Sequence, residues 1–167
     1  RTDTNFLMNA LAETIRLRAP FSPYVCRVAA DDVTVRDEVI TAGQEIHVHY
    51  VYANRSKEVF GEDADRYNPL RPSPSNGLPR YGVGFGVGIH QCYGLRVVLG
   101  NEGLGGSHVH MLRALLAAGI EPDPRRAPTS LAKDMSKFEI EDIPRYTAYP
   151  VIFTAWDPTT EARGGAQ

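Results

Sequence analysis

Cysteine is scarce in this chain of 167 residues: Cys26 and Cys92 stand alone, far apart in sequence. Two isolated cysteines exclude a disulfide framework and fit a reducing compartment, so the expected location is cytoplasmic. Long hydrophobic runs are lacking, and nothing approaches the roughly 20 apolar residues of a membrane-spanning helix. Charge of one sign is lacking as well, with 18 Lys and Arg against 20 Asp and Glu. A net charge of -2 makes no global electrostatic case for nucleic acid as a partner. Repeats and low-complexity blocks are absent, and the N-terminus has no basic-then-apolar leader. What is left is the composition of a globular chain that handles a small molecule, long enough for one ordinary domain. That domain is expected over residues 1–156, with a disordered tail from Asp157.

Leu7, Leu11, Ile15 and Leu17 recur at near-helical spacing, with Asp3 or Asn5 as a cap and Pro20 and Pro23 as terminators, predicting a helix over residues 4–18. That helix has no preceding element to pack on, which points to a truncated chain. Tyr24 to Ala29, Val33 to Arg36 and Glu45 to Tyr52 are β-rich and separated by turn residues, predicting a small antiparallel sheet. From Asn54 to Arg80, proline, charge and asparagine replace any sustained period, as in a long functional loop. Leu95 to Ala118 is apolar enough for helix, but Gly100, Gly103, Gly105 and Gly106 interrupt it. Each interior glycine costs about 1 kcal/mol relative to alanine, so two helices are expected, Cys92 to Leu99 and His108 to Ala118. Phe138 to Ile140 and Tyr149 to Trp156 read as a closing pair of strands.

The chemistry concentrates at Phe85-Gly-Val-Gly-Ile-His-Gln-Cys-Tyr-Gly94. A cysteine just ahead of a helix N-terminus is favoured as a thiolate, and a thiolate is a metal ligand. Glycines at 82, 84, 86, 88 and 94 allow close backbone approach to a flat ligand, yet no frame among them satisfies the dinucleotide pattern G-x-G-x-x-G. Zinc is a competitor through His47-x-His49, His90-x-Cys92 and His108-x-His110, but the usual zinc frameworks use more than one cysteine. His47 and His49 share a strand face and are read as satisfied or solvated strand histidines, and Cys26 as a small apolar strand residue. A haem ligated by thiolate accounts for the rest.

The ten residues from Phe85 to Gly94 resemble the cysteine-ligand loop of the cytochrome P450 superfamily, Phe-x-x-Gly-x-His-x-Cys-x-Gly, at every fixed position. Glu13-Thr-Ile-Arg16 resembles the family's K-helix Glu-x-x-Arg, and Ala53-Asn-Arg-Ser with its continuation to Arg71 resembles the segment leading into its meander. The resemblance implies an α+β chain forming the C-terminal part of a mainly helical P450 fold. Its order would be K helix, small antiparallel sheet, meander, cysteine-ligand loop, interrupted L helix and C-terminal strands. It implies haem b as cofactor and Cys92 as axial ligand of the iron. Phe85 would screen the sulfur, Gly86 and Gly94 would shape the loop, and Arg27 and His90 would contact the haem propionates. Glu13, Arg16 and Arg66 would form a structural triad that locks the meander. The segment from Ala19 to Cys26 would line the substrate pocket.

The family is far longer than this chain, and everything before the K helix, including the proton-delivering I helix, has no counterpart here. No catalytic residue is therefore identified. The implied function is a monooxygenase acting on a small organic substrate, with electrons from a ferredoxin or flavoprotein and an N-terminal P450 segment supplied from elsewhere. A positive face of Arg55, Lys57, Arg71, Arg80 and Arg96 would steer that donor. The alternatives are a stand-alone haem-binding module, whether carrier, sensor or weak peroxidase, and a peroxide-using relative.

Overall fold

A computed structural model describes residues 3–18, 24–101, 103–130 and 146–155. They fall into two compact units, the first from Asp3 to Val109 and the second from His110 onward. The first opens with helix α1, Thr4–Leu17, capped by Asp3, whose carboxylate accepts the Phe6 N–H at 3.1 Å. Its inward face carries Leu7, Ala10, Ala12, Ile15 and Leu17, and also the charged pair Glu13 and Arg16. Arg18 leaves the helix in an extended conformation. The predicted proline terminators lie outside the described residues.

Strand β1, Tyr24–Val28, pairs antiparallel with β4, Glu45–His49, placing Cys26 opposite His47 and Arg27 opposite Ile46. Between them β2, Val33–Val35, and β3, Glu38–Ile40, form a hairpin. Its turn residue Arg36 has φ +55. Strand β3 went unread because three residues offer too little alternation to stand out from a turn. The predicted strand from Glu45 to Tyr52 stops at His49, and Tyr50–Ala53 is a single helical turn, α2. Tyr-Val-Tyr has strand propensity, but the turn buries Val51 at 2% exposure, and tertiary burial overrides propensity.

The stretch from Asn54 to Arg80 is irregular as expected, apart from the short helix α3, Lys57–Phe60. After the glycine-rich loop and its 3-10 turn, Gly88–His90, helix α4 spans only Leu95–Val98. The expected helix from Cys92 is thus one turn long and starts three residues later. What cuts it short is a tight hairpin of β5, Gly100–Asn101, and β6, Leu104–Gly105. Gly100 has φ +90, and a Cβ there would overlap the Leu104 carbonyl; one on Gly106 would lie 2.5 Å from the carbonyl oxygens of Val97 and Val98. The glycines that looked like helix breakers are therefore the residues that let the hairpin fold back onto α4. Helix α5 follows as Ser107–Ala117, within a residue of its predicted limits.

The core of this unit joins Ala12 and Ile15 of α1 to Phe85 and Leu99, with Leu11, Tyr81, Leu95 and Val98 around them. The cysteine loop is thereby anchored on α1.

The second unit pairs β7, Ile120–Pro122, with β10, Val151–Phe153, and β8, Thr129–Ser130, with β9, Tyr146–Ala148. Asp123 organises the turn after β7, accepting the Arg125 N–H at 2.9 Å and Arg126 Nε at 2.8 Å. These bonds, the Arg125 N–H foremost, hold its carboxyl down at about 2 against the opposing effect of burial. The last predicted strand is shorter than expected, since Tyr149 and Pro150 precede it as a connection. The strand expected at Phe138 to Ile140, Trp156 and the tail from Asp157 lie outside the described residues. Small antiparallel sheets among helices make this the α+β chain that the sequence implied.

Candidate functional site

Glu13 and Arg16 lie one helical turn apart and both face inward, so the pair needs further partners to be tolerable. Arg16, wholly buried, donates from Nε and Nη2 to the two Glu13 carboxylate oxygens, both at 2.8 Å. Its Nη1 donates to the Asn54 carbonyl, and its guanidinium lies 4.8 Å from the centre of the Phe60 ring.

The second arginine on Glu13 is Arg71, not the expected Arg66. Arg71 Nε reaches Glu13 Oε1 at 3.1 Å, and its other nitrogens donate to the carbonyls of Phe60 at 2.5 Å, Asp63 at 2.8 Å and Arg66 at 3.0 Å. Arg66 is exposed and contributes only that backbone carbonyl, which also receives Arg16 Nη2 at 3.5 Å. The meander holds both arginines, and order along the chain does not say which one turns inward. Burial and contacts do: Arg71 is buried against Glu13, Phe60 and Asp63, whereas Arg66 is exposed, although both N–H groups close similar turns, to the Asn68 carbonyl at 3.0 Å and the Asp63 carbonyl at 2.8 Å. Burial pushes the Glu13 carboxyl up, but hydrogen bonds from Arg16 and the Asn68 N–H, the Arg16 charge and the Arg71 bond outweigh it, leaving Glu13 below its ordinary range.

Asn54 links this network to the cysteine loop, a role the sequence reading missed. Its Nδ2 donates to the Arg16 carbonyl at 3.2 Å and its Oδ1 accepts the Val83 N–H at 2.8 Å. Gly82 leaves room for it, since a Cβ there would overlap the amide oxygen of Asn54.

In the loop, the Phe85 ring is buried edge-to-face against Tyr81, centroids 5.1 Å apart. Its carbonyl accepts the Cys92 N–H at 2.7 Å, closing the loop on itself. Gly86 has φ +71, and a Cβ at this position would lie 2.7 Å from the His90 carbonyl oxygen. At Gly94 a Cβ would meet Cys92 Sγ at 3.5 Å. Cys92 and His90 are exposed, and so are the apolar side chains around them: Val87 at 54%, Ile89 at 94% and Tyr93 at 101%. A free thiol on a glycine-lined backbone, flanked by uncovered apolar side chains, is a donor set that fits a flat, apolar macrocycle with a metal at its centre.

Phe85, Gly86, His90, Cys92 and Gly94 thus come together in one closed loop, whereas Arg27 stands apart on β1. Its guanidinium donates to the Cys26 carbonyl at 2.8 Å. Among the described residues no hydrogen bond or ion pair joins Arg27 to the loop. The cationic face is also thinner than the sequence suggested. Arg71 is buried, Arg55 is bonded to the Leu17 carbonyl at 2.9 Å and paired with Asp65 at 3.3 Å, and Lys57 is paired with Glu62 at 3.1 Å. Arg80 donates to the Arg71 carbonyl, and Arg96 stays exposed on α4.

Among the described residues no helix is long and apolar enough to cross a membrane.

The family model for cytochrome P450 matches residues 1–98. Over 124 residues the chain is 32% identical to the putative cytochrome P450 cyp-13B1 of Caenorhabditis elegans, covering 73% of this chain and 24% of that protein. It is 32% identical over 97 residues to linalool 8-monooxygenase of Pseudomonas putida, covering 58% of this chain and 22% of the relative. In three dimensions it resembles the crystal structure of CYP109E1 from Bacillus megaterium in complex with testosterone. The TM-score is 0.65 over 89% of this chain and 36% of that one, at 19% identity, a likeness of fold alone. The chain spans about a quarter of the length of the curated relatives it matches. Proteins of this family bind haem, iron protoporphyrin IX, through a thiolate ligand. The match from α1 through the cysteine loop, together with the shared fold, establishes that this chain belongs to the cytochrome P450 family.

Proposed function

We propose that this chain supplies the cysteine-ligating side of a haem-thiolate monooxygenase. The observation that carries this reading is the exposed Cys92 thiol, held in a loop that the Cys92 N–H to Phe85 carbonyl bond closes and Phe85 anchors in the core. Cys92 would hold the haem iron through its thiolate. Gly86 and Gly94 keep side chains from crowding the sulfur and the turn beneath it, while Phe85 fixes the backbone that aims it.

Arg27 and His90 are the propionate partners, because carboxylates beside an apolar ring need charge-assisted donors and both side chains are exposed. The buried network of Glu13, Arg16 and Arg71 keeps the meander and loop in register and takes no part in the chemistry.

Haem bound here supplies the redox chemistry by which one atom of dioxygen enters a small organic substrate, with electrons from a ferredoxin or flavoprotein. Proton delivery and most of the substrate pocket belong to a further P450 segment. Arg96 is the cation in this loop region most open to an acidic electron donor.

The test is the carbon monoxide difference spectrum of the reduced, haem-reconstituted chain. The expected result is a thiolate-type Soret band that Cys92→Ser abolishes. A chain that takes up no haem, or a band that survives the substitution, rejects the assignment.

A further inference from the structure

The second cysteine belongs to a different constellation. The sequence pairs His47 with His49, but their ring centroids are 6.4 Å apart. Strand pairing brings Cys26 to His47 instead, directly across from it, while Glu45 lies two residues before His47 on the same strand. Directly opposed residues share a sheet face, and so do residues two apart, which puts all three side chains on one side of the β1–β4 pair. A sulfur, a ring nitrogen and a carboxylate oxygen here lie within 4.8 Å of one another, on three exposed residues. The His47 ring is also held in place: Tyr24 stacks on it with centroids 4.7 Å apart and planes 8° from parallel.

We propose that Cys26, Glu45 and His47 form a site for a zinc-like divalent cation, with its fourth position open to water. Thiolate and imidazole donors favour a borderline-soft ion over calcium or magnesium, and three protein ligands are the pattern of a zinc site that keeps one position free. The Glu45 carboxylate lies 2.6 Å from His47 Nε2. Cation binding at these ionisable ligands would release protons. Ligands about 2.0–2.3 Å from one zinc stand roughly 3.2–3.8 Å apart. The Glu45–His47 contact must therefore open by about half an ångström or more, and the thiol must swing in. Exposed side chains make both movements by ordinary torsional rotation. The site uses none of the residues assigned to the haem loop.

Cobalt(II) titration of the 167-residue chain tests this, because cobalt bound to sulfur shows thiolate-to-metal charge-transfer absorption. One such site per chain is expected, retained in Cys92→Ser and abolished in Cys26→Ser. His47→Gln and Glu45→Gln should each raise the cobalt needed for half-saturation at least tenfold. If Cys26→Ser fails to fold by circular dichroism, those two variants decide the matter. The proposal is overturned if wild type shows no such absorption or Cys26→Ser retains it. Loss of the absorption in Cys92→Ser, or binding unaffected by both His47→Gln and Glu45→Gln, overturns it equally.

Discussion

At the scale of single residues, the loop depends on glycine where backbone meets backbone. Gly86 combines φ +71 with a Cβ position 2.7 Å from a carbonyl oxygen that cannot rotate away. Gly86→Ala should cost about 1–3 kcal/mol in urea unfolding and depress haem uptake relative to wild type. The two meander arginines separate just as sharply. Arg71→Ala leaves a buried carboxylate with one cation fewer and should destabilise by about 3–5 kcal/mol, whereas exposed Arg66→Ala should stay within about 0.5 kcal/mol. Equal losses for the two variants would return Arg66 to the triad. The family resemblance named Arg66 as the partner of Glu13, yet Arg71 stands five residues further along the same stretch. The structure selects between them by seating Arg71 in the core against Glu13 and leaving Arg66 exposed.

At the scale of elements, legibility tracked length and period. Helix α1 could be read because its apolar positions repeat over 14 residues and Asp3 caps it. Asp3→Ala should lower stability by about 1 kcal/mol, seen as a reduced thermal midpoint with the native fold retained. Strand β3 and helix α2 escaped notice because pieces of three and four residues carry too few positions for a period to show. Helix α4 was overestimated for a different reason. Composition from Leu95 onward is helical, but the chain reverses at Gly100 into a hairpin, and the helix must end where the hairpin needs its space. The cysteine loop depends on that packing, since Leu95, Val98 and Leu99 close the core over Phe85.

At the scale of the whole molecule, the carboxylates tie stability to acid. Glu13 is held below its ordinary value of 4.5; its burial opposes this, and bonds from Arg16, the Asn68 N–H and Arg71 prevail. Asp63, held below 3.8 chiefly by its hydrogen bond from Arg71, acts in the same direction. A lowered carboxyl contributes stability in full above its unfolded value and loses it as pH falls through the folded value. Urea midpoints should therefore be level from neutral pH down to about 5 and then fall with increasing acidity. Glu13→Gln should flatten part of that fall while lowering the neutral plateau. An acid profile unchanged by Glu13→Gln would show that other carboxylates govern it.

The sequence alone determined the family, because a ligand loop is a local pattern: five fixed residues within ten positions carry the resemblance. It determined the long helix for the same reason, a period repeated often enough to be counted. The tertiary structure decided which arginine completes the triad and where Asn54 ties the meander to the loop. It also decided that Cys26 stands with Glu45 and His47. Each of these joins residues distant in sequence, and their proximity arises only from the turns and strand register that bring the backbone together.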